Sequence, residues 1–472
     1  MSGGHQPQAP AVPALVGADI EVPLLSGELR RYVNLDYAAS TAPMTNVAEA
    51  VAAMLPWYSS VHRGAGFKSQ VATAAYEGAR AAVHDFFHAR SSDVVLFVRN
   101  TTDAVNLLSA ALPDGTEVVA FEIEHHANML PWRRAGLRVT YLPAPASPAH
   151  ALEALEHALR RPSQSPRLVA VTGASNVTGE VWPVREAAEL AHRHGARLLL
   201  DAAQLAAHYP IDMEAMGVDY LAVSAHKMYA PFGVGALIGG PDWLAAGAPY
   251  LRGGGAVDFV TLDSVLWSEL PERQEAGSPN VIGAVAMGEA CRTLARYGMD
   301  RIAGEELALA AYARRRLTKL SGVELYALWD SDVPRLGIAS FNVQGYWHSQ
   351  VAAILSAEHG IGVRHGCFCA HPLVLHLLDI TDDEASRIRH EIAAGHKGRV
   401  PGAVRVSVGL GTTRDDIDLL CDALGTLIAD GPAARYRMDP ASGEYVPDPE
   451  TRRWPALPVA LAAAGVGRGE SS

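Results

Sequence analysis

The 472-residue chain carries 39 Lys and Arg against 51 Asp and Glu, a formal net charge of −12, and 49% of it is hydrophobic. Such a composition belongs to a globular chain long enough for two or three domains and excludes a mostly disordered or collagen-like one. The acidic balance, with no basic patch, speaks against nucleic acid as a partner and favours small molecules.

Cys291, Cys367, Cys369 and Cys421 are too few for a disulfide framework, and their sparse use fits a reducing, cytoplasmic compartment. The N-terminus lacks the basic and apolar regions of a secretory signal. The most apolar late stretch, Leu457–Val466, is about half the length needed to cross a bilayer, so no membrane is expected.

Residues 1–30, rich in Pro, Gly and Ala, read as a loose surface arm. From Val47 to about His88 the apolar spacing predicts a helix, with Val71, Ala74, Ala75, Gly78 and Val83 sharing one face. Short apolar runs at 94–98, 117–122, 138–142, 167–172, 197–201 and 219–224 then alternate with helical patterns, as in a parallel sheet buried on both faces. Residues 143–166 read as a surface crossover around a helix. GVGALIGG (233–240) misses the dinucleotide spacing and reads as a strand and turn. Beyond about residue 300, strands at 338–343, 362–364 and 403–408 and a helix after Arg414 predict a smaller α+β unit. Prolines at 440, 447, 449, 455 and 458 mark an extended or partly disordered tail after Gly431. The expected division is an arm (1–30), a large domain (31–300), a small domain (301–432) and a tail (433–472).

The strand 197–201 ends at Asp201, and the strand 219–224 runs into Ser224-Ala225-His226-Lys227. Ligands of open α/β sheets sit outside the carboxyl ends of the strands, so Asp201 and Lys227 converge on one crevice. A buried acid and a lysine suit pyridoxal 5'-phosphate, which needs an amine for its Schiff base and a carboxylate at the pyridine nitrogen. Arg99-Asn100-Thr101-Thr102, opening a helix, suits the phosphate. Taken singly, Lys227 reads as a surface lysine, and Asp201 and Thr101 as helix caps; the combination points to a site. Glu122–His126 can be read as a metal cluster, or as one imidazole stacked on a cofactor ring beside one structural histidine; no metal is required.

Nine stretches in order carry a resemblance to a known family: VHRGAGFKSQVATAAYEGAR (61–80), NTTDAVN (100–106), EIEHHANMLPW (122–132), ASNVTG (174–179), LLLDAAQ (198–204), SAHKMYAPFGVG (224–235), EAGSPN (275–280), GIGVRHGCFCAHP (360–372) and RVSVGLGTTRDDID (405–418). Over roughly residues 30–430 the chain resembles the class V aminotransferase family of fold-type I pyridoxal phosphate enzymes, most of all the cysteine desulfurase and selenocysteine lyase branch. The resemblance implies an α/β fold: a large domain with a mostly parallel seven-stranded sheet, and a smaller α+β C-terminal domain carrying the nucleophile loop. It also implies a homodimer.

By the same resemblance Lys227 forms the Schiff base, Asp201 pairs with the pyridine nitrogen, Gln204 bonds the ring oxygen and His125 stacks on the ring. Thr101, Thr102, Ser224 and His226 hold the phosphate, with Ser278 reaching it from a neighbouring subunit. Arg405 binds the substrate carboxylate with Asn176 assisting, and His62 and Arg364 line the same pocket. Cys369 aligns with the nucleophile, whose thiolate gains from nearby cations such as Arg364. The implied reaction turns L-cysteine into L-alanine, leaving a persulfide on Cys369 for a sulfur acceptor. The alternative is a C–S lyase, epimerase or aminotransferase of the same fold.

The chain departs from the pattern at Cys367-Phe368, where His-His is common, at Ala225, and at Gly411-Thr412-Thr413. Cys367 reads first as a bystander, with a resolving thiol or second sulfur carrier as alternatives. His365, Cys367, Cys369 and His371 alternate as metal-type ligands do, but neighbours on one strand face lie about 6–7 Å apart, too far for all four to close a tetrahedral site. Cys291 and Cys421 sit in helical patterns and read as small buried hydrophobes.

Overall fold

The computed structural model describes residues 12–62, 64–329, 333–396, 398 and 400–455. The outer parts of the expected arm and tail, 1–11 and 456–472 with Leu457–Val466, lie outside the described residues. Seven strands form the main sheet: β1 (Val94–Val98), β2 (Glu117–Phe121), β3 (Arg138–Leu142), β4 (Arg167–Thr172), β5 (Arg197–Asp201), β6 (Tyr220–Ser224) and β7 (Gly235–Gly239). Their order is β1-β7-β6-β5-β4-β2-β3. Only β7 runs against the rest, pairing antiparallel with both β1 and β6. The mostly parallel seven-stranded α/β sheet expected from the alternating runs is therefore present.

Successive side chains of β5 show why these runs are apolar throughout. Leu198 and Leu200 enter one core and Leu199 the other, all three fully buried. One consequence decides the site: the carboxyl ends of β1, β2, β4, β5 and β6 open on the same edge.

The single helix expected from Val47 to His88 is two, α1 (Thr45–Met54) and α2 (Phe67–Phe86), separated by a short turn over Leu55–Trp57 and a loop. Pro56 lies in that turn, and a proline has no N–H to continue the ladder. The buried face of α2 runs through Ser69, Ala72, Tyr76, Ala79 and Val83, one residue around from the expected stripe. Glu275 fixes that register: Oε1 accepts from Phe97 N (2.7 Å) and Arg80 Nη1 (2.8 Å), and Oε2 from Tyr76 Oη (2.7 Å).

A second sheet, ordered β8-β9-β11-β10, comprises β8 (Val323–Leu325), β9 (Ile338–Val343), β10 (Arg364–Gly366) and β11 (Ala403–Ser407). The expected strand 362–364 breaks at Val363: Ile361–Gly362 pairs with Val33–Asn34, while β10 pairs with β11. Val33 and Leu35, expected to open the large domain, are buried in the core of this second sheet.

Two further segments are more ordered than their composition suggested. Of the expected loose arm, Glu21–Pro23 pairs with Leu29–Arg31, and Leu25 N donates to Ala357 O (3.0 Å). Of the expected extended tail, Tyr436–Met438 and Tyr445–Pro447 form a hairpin anchored by Glu358, which accepts from Ala433 N (2.9 Å) and Tyr436 Oη (2.8 Å). Apolar residues between the prolines supply the contacts that pure composition overlooks. Among the described residues no helix is long and apolar enough to cross a membrane.

Candidate active site

A cavity of about 360 Å³ opens at the carboxyl edge of the main sheet. Its walls bring together Thr101, Thr102, His125, Asn176, Asp201, Gln204, Ser224, His226, Lys227, Arg364, Cys369 and Arg405. Most come from the carboxyl ends of the main-sheet strands or the turns after them, while Arg364, Cys369 and Arg405 come from the second sheet and the turn beside it.

On one side, α3 (Thr101–Ala111) begins directly after β1. Asn100 caps it, its Oδ1 accepting from Asp103 N (3.0 Å). Thr101 N donates to Ser224 Oγ (2.7 Å), and the two hydroxyls stand 2.8 Å apart. Gly235 makes this approach feasible, because a Cβ there would meet Val223 O at 2.4 Å and Asn100 Cα at 2.8 Å. The positive end of the helix beside the Thr101, Thr102 and Ser224 hydroxyls forms an anion cradle. His226 completes it, Nδ1 standing 3.3 Å from Ser40 Oγ; burial, then Lys227, pushes its pKa down to about 4.

Asp201 and Lys227 lie at the floor. Burial raises the Asp201 carboxyl, countered by the N–H of Ala203 (3.0 Å to Oδ1) and by Lys227. Burial lowers the Lys227 amine to about 8, a neutral nucleophile within reach of physiological pH. His125 Nδ1 accepts from Ala127 N (3.0 Å), so the neutral ring carries its proton on Nε2. Burial, with Lys227 adding, holds its pKa down at about 3.

The lip is built differently. Cys367 O accepts from Ala370 N (2.9 Å), closing a tight turn whose central residues Phe368 and Cys369 both have positive φ, 54° and 55°. Left-handed backbone at two successive residues with side chains costs about 1–2 kcal/mol each and persists only when surroundings enforce it. Here they do: Asn176 Nδ2 donates to Phe368 O (2.8 Å) and His126 N to Cys369 O (2.8 Å). Cys369 is exposed at the cavity wall, near enough to Lys227 and Arg405 that a thiolate there partly offsets the burial that lowers both of their pKa values.

Arg405 is buried between the two units. Nη1 donates to Asn176 O (2.9 Å), Nη2 to Asp36 Oδ1 (3.1 Å), and the guanidinium stands 5.0 Å from the Phe368 ring centroid. Arg364 Nη1 lies 3.9 Å from Asp36 Oδ2. Asn176, expected beside the substrate carboxylate, gives its side-chain N–H to the lip turn.

Two expected residues stand apart. His62 and Ser278 line a separate cavity of about 390 Å³ on the same chain. The helix break sends His62 there: its N donates to Thr73 Oγ1 (2.9 Å) and its Nε2 lies 2.8 Å from Glu77 Oε1. Within one chain His62 therefore does not join Arg364.

The sequence reading missed Asp36, Phe368 and the separate part of Glu124. Glu124 is fully buried beneath the floor, accepting from Thr172 N (3.1 Å) and Asn128 Nδ2 (2.9 Å); burial pushes its pKa up to about 8. The apolar NLDYAAS run ahead of α1 was the available signal for Asp36. The alternating His and Cys disperse: His365 pairs with Glu444 (3.0 Å) and His371 stacks on His126 at 5.1 Å. Among the described residues no group of three or more His, Cys, Asp or Glu is arranged for a metal ion.

A doubly layered α/β sheet with a lysine, an acid and an anion cradle at its carboxyl edge defines a cofactor-dependent enzyme site. The residues fit pyridoxal phosphate: Gln204 Oε1 and Arg405 Nε are buried polar atoms with no protein partner, and the cradle and floor present the required donors and acid. The family model for class V aminotransferases matches residues 33–420, and the chain belongs to that family, whose members depend on pyridoxal phosphate.

Similar proteins include a probable cysteine desulfurase of Halalkalibacterium halodurans, 37% identical over 83% of this chain and 92% of that one. A cysteine desulfurase of Haloferax volcanii is 33% identical over 88% of this chain and 94% of its own. Among solved structures, the apo cysteine desulfurase of Thermococcus onnurineus NA1 superposes with a TM-score of 0.74 at 30% identity, over 84% of this chain and 94% of that one.

Proposed function

We propose that this chain is a pyridoxal phosphate-dependent cysteine desulfurase that converts L-cysteine to L-alanine and passes the sulfur through a Cys369 persulfide to an acceptor protein or thiol. The observation carrying the reading is the meeting of a pinned thiol, Cys369, with a buried amine, Lys227, across one cavity.

Lys227 would hold the cofactor through Nζ, Asp201 would face its pyridine nitrogen, and Gln204 its ring oxygen. Thr101, Thr102, Ser224 and His226 would cradle the phosphate. Bound there, pyridoxal phosphate supplies the electron sink that makes the substrate's α-proton acidic. Neutral His125 offers an uncharged face for the ring. Arg405 takes the substrate α-carboxylate on Nε and the remaining Nη protons, and Arg364 screens Asp36 beside it. Lys227 Nζ moves the α-proton; Cys369 Sγ attacks the substrate sulfur, forming an S–S bond as the C–S bond breaks. A proton delivered to Cβ and one returned to Cα complete alanine.

We further take the protein as a cytoplasmic homodimer in which Ser278 faces the partner's phosphate cradle. The separate cavity shared by Ser278 and His62 supports this, as does the absence of disulfides among the four cysteines. Residues 31–300 and 301–432 serve as large and small domains, with 33–35 contributed to the latter. The test is incubation of the cofactor-loaded protein with L-cysteine and a thiol reductant. Alanine and sulfide, lost in Cys369→Ala, are expected; pyruvate and ammonia, or indifference to Cys369, would move the protein to the lyase or aminotransferase reading.

A further inference from the structure

We propose that Cys367 is a resolving thiol: once Cys369 carries the persulfide, Cys367 attacks its Sγ, closing a Cys367–Cys369 disulfide and releasing hydrosulfide. The inference rests on the desulfurase reading of Cys369 and assigns a second residue to the same site.

The turn supplies the geometry. Cys367 is its first residue and Cys369 its third, with the chain closed by Ala370 N on Cys367 O (2.9 Å). Left-handed dihedrals mirror those of an α-helix, in which residues two apart have Cα atoms about 5.4 Å apart, inside the 4.4–6.8 Å window for a disulfide. The N–H and the charge of Cys369 both act on the Cys367 thiol. Because Asn176 and His126 hold both central carbonyls, the pair cannot drift apart by relaxing the strained backbone.

The order of events follows from surroundings. Cys369 is exposed at the cavity, whereas Cys367 is half-buried against the large core, and burial raises its pKa. A protonated, half-buried thiol does not compete for the substrate's sulfur, so Cys369 acts first. In the resolving step the bond between Cys369 Sγ and the terminal sulfur breaks, and the Cys367–Cys369 bond forms. The terminal sulfur leaves as hydrosulfide, reduced by the two electrons that Cys367 gives up, and the Cys367 proton goes to water or to the leaving sulfide. Returning the disulfide to two thiols requires a thiol reductant, which resets the enzyme.

The test is mass analysis of the full-length, cofactor-loaded protein after acid quenching of a reaction with one equivalent of L-cysteine and no reductant, with alanine measured in the same sample. The wild-type peptide spanning 367–369 is expected to lose two hydrogens, with an equivalent of sulfide in solution. Cys367→Ser is expected to keep one extra sulfur on Cys369. Alanine formed while the wild-type peptide retains that extra sulfur, on either cysteine, would overturn the resolving step alone. Absence of alanine would overturn the desulfurase reading and this inference with it.

Discussion

The floor and the lip of the cavity solve the same problem, holding one reactive side chain in place, by opposite means. Asp201 ends a regular, fully buried strand, fixed by its backbone ladder, and Lys227 closes the short turn Ala225–Lys227 that directly follows a second such strand. Cys369 rides on a strained turn, where tertiary bonds from Asn176 and His126 fix it. The difference teaches that an amine doing proton transfer gains from burial, which tunes its pKa, whereas a thiol handing sulfur onward must stay exposed and is therefore anchored from behind.

The largest effect that would break this comparison is removal of either reactive group: Cys369→Ala or Lys227→Ala should lower alanine formation by about 10³-fold or more, measured by product analysis. Next comes the anchor. Asn176→Ala frees the Phe368 carbonyl without removing either reactive group, and the loosened turn should cut kcat by about 10²-fold. Cofactor absorbance should stay unchanged, because the floor is untouched; a spectral change would show that the two regions are not separable. Smaller again is Arg405→Lys, which loses a charge-assisted hydrogen bond worth about 1.5 kcal/mol and should raise KM about tenfold.

The smallest effect concerns pH. His125, at about 3, and His226 and His348, each at about 4, are held below the ordinary histidine value by burial. Between pH 4 and 6.5 these three rings therefore bind more protons unfolded than folded and make stability rise with pH, outweighing the buried carboxyl of Glu124, held up at about 8, which acts the other way. Thermal unfolding of the cofactor-free protein should show Tm falling as pH drops from 6.5 to 4. A flat profile would mean these rings are charged in the folded state, against the hydrogen bond that Ala127 N gives to His125.

This contrast also explains what was legible in the sequence. The floor was readable because β5 and β6 carry uninterrupted apolar runs, with Asp201 closing the first and the polar Ser224-Ala225-His226-Lys227 following the second. The helix break at Pro56 and the α2 register were missed because alanines are plentiful all around α2, so only Tyr76 and its bond to Glu275, distant in sequence, select the buried face. The lip was opaque for the same reason. Nothing in His-Gly-Cys-Phe-Cys announces positive φ at two residues with side chains; partners nearly two hundred residues away impose it. Asp36 likewise acquires meaning only through Arg405, on a strand far along the chain.

The division of labour between floor and lip is tested most directly by following two products of one reaction in deuterated water: L-alanine, and L-cysteine exchanged at its α-carbon, with the Cys369→Ala variant beside the wild type. Cys369→Ala should form no alanine yet still exchange the α-hydrogen, because Lys227 Nζ is intact on the floor. Alanine from the variant, or loss of exchange together with alanine, would contradict the account.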